Sequence, residues 1–198
     1  MFDFETKLSQ VLCYCGKDYK TVAADISKRS ASFDLLAQTD PSVISGLCSE
    51  KYSTMIRILS AIAARRITDS FKFGRTHTEK EIFDFLCGYY FDAVNETVIV
   101  LPLDERGRII SADVVVEGTV NFSGVLPRKL LEIMIKRKSK SAILVHNHPG
   151  GKATPSVEDV ETTRIVSDLL ISADKRLVCH YIVAGNDIAR LDPPEADN

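Results

Sequence analysis

The sequence predicts an α/β domain, with a mixed sheet flanked by helices, that follows a small all-helical region. Up to residue 70, apolar residues recur at helical spacing, as at Leu8, Val11 and Leu12. After residue 97, short β-branched stretches alternate with helical ones, which is typical of strands and helices sharing one sheet. Of the 198 residues, 45% are hydrophobic and 26% are charged. This ordinary globular composition excludes a disordered or collagen-like chain.

Charge and cysteine content narrow the class of protein further. The formal net charge of −2 provides no global basic field that would attract nucleic acid or an anionic membrane. The five cysteines form no CxxC pair, which favours reduced thiols over a disulfide framework or a cysteine-based zinc knuckle. The start of the chain carries Asp3 and Glu5 and lacks a signal-peptide pattern, and the apolar stretch Val98 to Leu103 is too short to span a bilayer. We expect a cytoplasmic protein.

The helical region is predicted to end before residue 76. Asp40-Pro41 is a helix-start signal, and helical periodicity returns between Ile56 and Ala63. The segment Ile67 to Thr76 has no clear periodicity and contains Gly74. We therefore predict two domains, residues 1–70 and residues 76–198.

The second domain begins with a helix, because Thr78 and Glu81 have the spacing of a capping box. Two strands follow, Thr97 to Leu103 and Arg108 to Val116. The four residues between them include Gly107 and predict an antiparallel hairpin.

The remaining elements alternate between helix and strand. A helix is predicted after Leu126-Pro127, and another over Ser156 to Ile171. Strands are predicted over Ser141 to His148 and over Leu177 to Val183. The tail from Asp192 holds two prolines and is expected to be loose.

Two histidines near the end of the third strand are candidate metal ligands. Side chains two residues apart in a strand point to the same face, so His146 and His148 project together. Asn147 then faces the opposite side. Two imidazoles placed in this way can supply two ligands to one divalent metal ion.

The segment after the histidines supplies a third candidate ligand. Pro149-Gly150-Gly151 ends the strand in a tight turn, and Ser156 opens a helix with Asp159 on its first turn. Two imidazoles and a carboxylate make a three-ligand zinc site whose fourth position is left for water. Taken alone, the Ser156 and Asp159 pair could be only a capping box, and a histidine in a strand is often structural. The combined spacing favours metal binding.

The same residues resemble a known family. His-x-His, seven residues, Ser, two residues and Asp is similar to the JAMM (MPN+) metalloprotease motif. The string HNHPGG with PSVED resembles the RadC-like branch of that clan, which usually has Ser where this chain has Gly150. The stretch NETVIVLPLDERGRII and the EGT element at Glu117 to Thr119 are also similar to that branch. The resemblance covers about Thr78 to Gly185 and implies a cytidine-deaminase-like α/β fold.

The resemblance implies the roles of the site residues. It favours Glu96 as general base, although spacing alone does not separate Glu96 from Glu117. His146, His148 and Asp159 would hold Zn²⁺, and Ser156 would hydrogen-bond the oxyanion. A peptide or isopeptide bond is the substrate class of the wider clan, which implies a protein or peptide substrate.

Two other chemistries are disfavoured. The letters HNH do not indicate an HNH nuclease, whose motif residues are spread along a ββα element. A deaminase would need His-x-Glu followed by Pro-Cys-x-x-Cys, which the sequence lacks. Cys179 and His180 are adjacent strand residues and face opposite sides, so they cannot both line one site. Packing in the core or support of the metal ligands is the favoured interpretation of this pair.

The helical region resembles the helix-hairpin-helix often found in RadC-like proteins. The resemblance lies in Ser45 to Tyr52, where Cys48 replaces the second glycine of the hairpin turn. A side chain there hinders close approach of the backbone to a phosphate, and Glu50 adds a negative charge. We expect a retained fold with reduced DNA binding. The basic run at Lys136 to Lys140 is interpreted as a solvated helix end.

Three hypotheses about function follow. The first is a zinc-dependent hydrolase of JAMM type. The second is a DNA-repair-associated accessory protein that uses its metal domain and helical region for binding. The third is a metal-stabilised domain that recruits a protein partner without turnover. The presence of Ser156 and Glu96 favours the first, because a structural site needs neither a base nor an oxyanion donor.

Overall fold

A computed structural model describes residues 3–28, 32, 48–118 and 122–194. The chain forms two compact units. The first consists of Met1–Phe71 and Asp84–Asp92, and the second of Lys72–Phe83 and Ala93–Asn198. The predicted domains, 1–70 and 76–198, stay a prediction, since a compact unit need not be a separately folding domain.

The first unit is helical. It contains α1 (Phe4–Leu12), α2 (Tyr19–Ser27) and α3 (Glu50–Ser70). The N-cap of α1 is Asp3, whose carboxylate accepts the Thr6 N–H at 2.7 Å. The helices enclose a small apolar core made of Leu8, Leu12, Val22, Ala23, Ile26, Tyr52 and Ile56. The Asp40-Pro41 helix start lies outside the described residues.

The predicted capping box is present at the start of α4 (Glu79–Tyr89). The Glu81 carboxylate accepts the Thr78 N–H at 2.9 Å, and the Thr78 hydroxyl accepts the Glu81 N–H at 3.2 Å. This helix therefore begins where the sequence predicts.

The second unit is built on a five-stranded mixed sheet, which confirms the predicted fold class. Its strands are β1 (Thr97–Leu103), β2 (Asp113–Glu117), β3 (Ser141–Asn147), β4 (Arg176–Ala184) and β5 (Asp187–Leu191). Their order is β2-β1-β3-β4-β5, and only β3 and β4 are parallel.

Two helices pack against the sheet, α5 (Phe122–Lys136) and α6 (Val157–Ser172). The core between sheet and helices comes from alternate strand residues, among them Val98, Val100, Ala142 and Leu144. Helix residues such as Leu130, Met134, Val166 and Leu170 complete it. By the same alternation, this face of the sheet continues from Leu144 to His146.

Two elements start several residues away from their predicted positions, and one strand was not predicted. The second strand starts at Asp113 rather than Arg108, and only an isolated bridge joins Leu103 to Ile109, so the connection is longer than four residues. Helix α5 begins at Phe122 and includes Pro127, which the sequence places before the helix. Strand β5 was not predicted, although the two residues Gly185-Asn186 form the short turn of a hairpin.

None of the helices within the described ranges has both the length and the hydropathy that crossing a membrane requires.

Candidate metal centre

His146 in β3 and His148 directly after β3 converge as the alternation predicts. His146 is buried and His148 is partly exposed, and their Nε2 atoms lie 2.9 Å apart. His148 Nδ1 lies 2.9 Å from the carbonyl oxygen of Lys152. A carbonyl oxygen can only accept, so Nδ1 carries the hydrogen and Nε2 of neutral His148 presents a lone pair.

The Gly-rich turn makes this contact by folding back on the strand. Gly150 has a φ of 67°, which glycine adopts without strain, and the Gly151 N–H donates to the His148 carbonyl at 3.2 Å. The turn therefore brings the backbone carbonyl of Lys152 to the imidazole ring of His148.

Asp159 reaches the histidines from the first turn of α6. Its Oδ1 lies 3.0 Å from His146 Nε2, and its Oδ2 lies 3.6 Å from His148 Nε2. Oδ2 also accepts the Ser156 N–H at 2.8 Å, while the Ser156 hydroxyl accepts the Asp159 N–H at 3.0 Å. The capping box, considered as an alternative to a ligand role, thus orients the carboxylate towards the imidazoles.

The Asp159 carboxyl stays ionised in this setting. Burial raises its pKa, but the contact with the His146 ring and the hydrogen bond from the Ser156 N–H outweigh that effect. The net result is a pKa well below the ordinary value of 3.8. The site therefore presents an anionic oxygen beside two imidazole nitrogens.

The spacing of the three ligand atoms fits a single tetrahedral ion. Zinc bonds to nitrogen and oxygen of about 2.0–2.1 Å place neighbouring tetrahedral ligands roughly 3.3 Å apart. The observed separations of 2.9, 3.0 and 3.6 Å bracket that value. Small side-chain adjustments are enough to seat the ion.

Glu96 lies at the same site and precedes β1. One of its carboxylate oxygens and ligand nitrogens of His146 and His148 lie within 4.8 Å of one another. It also lines a small cleft together with His146, Asp159 and His180, and the apolar wall of that cleft includes Val98, Leu126 and Leu144. Glu117, the alternative base, is not among the residues that line this cleft.

The structure places Ser156 beside the cleft but not in its lining. The Ser156 oxygen accepts a backbone N–H from Asp159, so its hydroxyl hydrogen is left to donate elsewhere. Its role towards an oxyanion stays a prediction.

His180 faces the metal site, whereas Cys179 faces the other side of the sheet. The His180 ring contacts His146, with Nε2 2.8 Å from His146 Nδ1. Burial lowers the pKa of His180 to about 3, so the ring is neutral. Burial also raises the pKa of the Cys179 thiol to about 11, which does not suit a nucleophile.

A β-bulge decides which of these two residues faces the site. Ala142 pairs with Leu177, but the next residue, Ile143, pairs with Cys179, so Val178 is an extra residue in β4. Without the bulge, Cys179 would follow Leu177 onto the helix-covered face.

The sequence did not indicate a role for Thr163. For Asn147 it indicated only that the side chain lies on the opposite face of the strand from the histidines. Both side chains are buried. The Thr163 hydroxyl contacts His180, and the Asn147 amide contacts the backbone on both sides of Glu96. The available signal was a polar residue close to the candidate ligands in the sequence, because a buried polar group needs a hydrogen-bond partner.

The basic run after α5 is partly paired. The Arg137 guanidinium forms an ion pair with Asp113, and Lys140 lies 3.3 Å from Asp174. In the helical region, Ser45 to Leu47 of the hairpin-like stretch lie outside the described residues. Reduced DNA binding by that stretch therefore stays a prediction.

Comparisons with known proteins agree with the motif. The family model that describes a RadC-like JAB domain matches residues 76–192. A UPF0758 protein of Photobacterium profundum is 33% identical over 144 residues, which is 72% of this chain and 64% of that protein. One from Finegoldia magna is 35% identical over 132 residues, covering 67% and 58%. One from Cupriavidus pinatubonensis is 28% identical over 176 residues, covering 87% and 77%.

Proposed function

We propose that this chain, which belongs to the family of RadC-like JAB domains, is a zinc-dependent hydrolase of JAMM type. One observation carries the proposal. Two imidazole nitrogens and a carboxylate oxygen face one another at 2.9 to 3.6 Å, with the Glu96 carboxylate close by. Three converging ligands beside an additional carboxylate are typical of a catalytic metal centre rather than a closed structural one.

His146, His148 and Asp159 would hold the metal ion. A ligand set of two imidazoles and one carboxylate suits zinc, and the anionic oxygen offsets part of the charge of the ion. When bound, zinc lowers the pKa of a coordinated water from 15.7 to about 7 and polarises a carbonyl group.

Glu96 supplies the base in this proposal. Its carboxylate accepts a proton from the attacking water and delivers that proton to the leaving amine. The position of Glu96 in the cleft supports this role over Glu117. Ser156 donates its hydroxyl hydrogen to the oxyanion that develops on the substrate carbonyl.

The proposed substrate class is a peptide or isopeptide bond. Its support is the resemblance of the site to the JAMM motif, together with a leaving amine that Glu96 can protonate. The substrate is therefore a protein or a peptide.

Metal content and turnover test the proposal together. Protein purified without chelator is expected to contain about one zinc ion per chain, measured by elemental analysis. The zinc-loaded protein is then assayed against a library of peptide and isopeptide substrates. A chain that binds no zinc, or a zinc-loaded chain that cleaves neither class of bond, would overturn the proposal.

A matched pair of variants tests whether Glu96 or Glu117 is the general base. Glu96→Gln should keep zinc and lose about 10²- to 10⁴-fold in turnover, because an amide cannot accept the proton. Glu117→Gln removes the same charge from the exposed end of β2 and should leave turnover unchanged. If the second variant loses activity and the first does not, the base is Glu117.

A further inference from the structure

We infer that Thr163 and His180 form a positioning relay that holds His146 in the tautomer required of a metal ligand. The inference rests on the proposed metal centre and adds two residues to its support. The side chains of all three residues are buried, with exposed fractions of 2% for Thr163, 1% for His180 and 3% for His146. In such surroundings each hydrogen-bonding group needs a defined partner.

The relay begins at a backbone carbonyl group. Thr163 Oγ1 lies 2.6 Å from the carbonyl oxygen of Asp159. Because a carbonyl oxygen carries no hydrogen, the single hydroxyl hydrogen of Thr163 must lie between the two oxygens. Towards its other partner, His180 Nδ1 at 2.7 Å, the threonine oxygen can only accept. His180 therefore carries a hydrogen on Nδ1.

The second step fixes the hydrogen of His146. With its hydrogen on Nδ1, neutral His180 has a lone pair on Nε2. That atom lies 2.8 Å from His146 Nδ1 and must accept a hydrogen from it.

The third step gives the consequence for the metal centre. With a hydrogen on Nδ1, neutral His146 presents the lone pair of Nε2 to the space that a metal ion would occupy between the ring and Asp159 Oδ1, which is 3.0 Å away. In His148 the hydrogen is also held on Nδ1, because that atom donates to the Lys152 carbonyl oxygen. Asp159 thus contributes twice, since its carboxylate is a proposed ligand and its carbonyl anchors the relay. Partners of this kind orient ligating imidazoles, and their loss weakens metal affinity by about 10- to 100-fold.

Two pairs of variants test the relay through zinc affinity, measured by competition with a chromogenic chelator. Thr163→Val keeps the shape but loses the hydroxyl, whereas Thr163→Ser keeps it. His180→Phe removes the acceptor, whereas His180→Gln supplies an amide oxygen in its place. We expect Thr163→Val and His180→Phe to bind zinc about 10- to 100-fold more weakly than the wild type. Thr163→Ser and His180→Gln should stay close to the wild type.

A spectroscopic measurement on the wild type needs no variant to fold. Long-range ¹H–¹⁵N NMR spectra of the zinc-loaded protein report which ring nitrogen carries each hydrogen. We expect the hydrogen on Nδ1 for both His146 and His180, a state that a merely space-filling role would not select. Hydrogen on Nε2 of His180, or equal zinc affinity for Thr163→Val and Thr163→Ser, would overturn the relay. Failure of the wild type to bind zinc would instead overturn the proposed function.

Discussion

The side-chain amide of Asn147 forms hydrogen bonds with the backbone on both sides of Glu96. Its Oδ1 accepts the N–H of Thr97 at 2.8 Å, and its Nδ2 donates to the carbonyl oxygen of Asn95 at 3.1 Å. The Glu96 carbonyl in turn accepts the Gly118 N–H at 2.8 Å. The strand residue between the two histidines therefore holds the backbone on both sides of the proposed base.

Replacement of Asn147 by Ala should lower turnover without lowering zinc affinity. The variant leaves the Thr97 N–H and the Asn95 carbonyl without their partner, which costs about 1–3 kcal/mol of stability, and it frees the Glu96 backbone. Urea unfolding, zinc competition and peptide hydrolysis measure the three effects. A variant with wild-type turnover would show that Glu96 needs no such support.

Removal of a proposed ligand should abolish tight metal binding. His146→Ala takes away one of three protein ligands, and we expect zinc affinity to fall by more than about 100-fold, beyond the effect of a supporting residue. His77→Ala is the matched control, because His77 is outside the metal cluster. Equal zinc content in the two purified variants would contradict the assignment of His146.

Ser156 can be tested for a role beyond capping. Ser156→Ala removes the oxygen that accepts the Asp159 N–H, which should cost about 1 kcal/mol of stability. A lost oxyanion donor should additionally reduce kcat by about 10²- to 10³-fold. Ser156→Thr keeps a hydroxyl and should retain most of kcat. Equal kcat values for the two variants would assign Ser156 to capping alone.

The start of α4 should give the protein a pH-dependent contribution to stability. Hydrogen bonds from the Thr78 N–H and from Arg75 lower the pKa of Glu81 from 4.5 to about 2. Because the folded pKa lies below the unfolded one, the ionised carboxylate stabilises the fold above pH 4.5, and this contribution is lost as the pH falls from 4.5 towards 2.

Urea unfolding of Glu81→Gln across this pH range measures the effect. The variant should be less stable than the wild type at neutral pH, and the difference should shrink as the pH approaches 2. Glu105→Gln, at an exposed turn residue, controls for the removal of one negative charge. A difference that stays constant with pH would contradict the assignment.

Local sequence determined which residues are candidate metal ligands. A single residue separates His146 from His148, so their rings share a face, and a helix start places Asp159 within one turn of Ser156. The capping box of α6 and the convergence of the imidazoles follow from spacings of two and three residues. Such short spacings depend on backbone geometry and little else.

Sequence patterns were less informative where pairing between strands decides the outcome. Alternation from Leu177 would place Cys179 on the helix-covered face, but the extra residue Val178 reverses the phase of β4 and turns His180 to the site. A bulge arises where one strand has an extra residue relative to its partner. The sequence of one strand alone therefore does not reveal it.

The choice between Glu96 and Glu117 also depended on the folded sheet. Both glutamates sit at strand ends, and the sequence gives them similar surroundings. Antiparallel pairing of β1 with β3 sets Val98 opposite His146, so Glu96, two residues earlier, lies beside the histidines. Glu117 is carried by the edge strand β2, one strand further from β3. The sequence by itself determined which residues could bind a metal ion, and the tertiary structure decided which groups surround it, because strand order and register are long-range properties of the sheet.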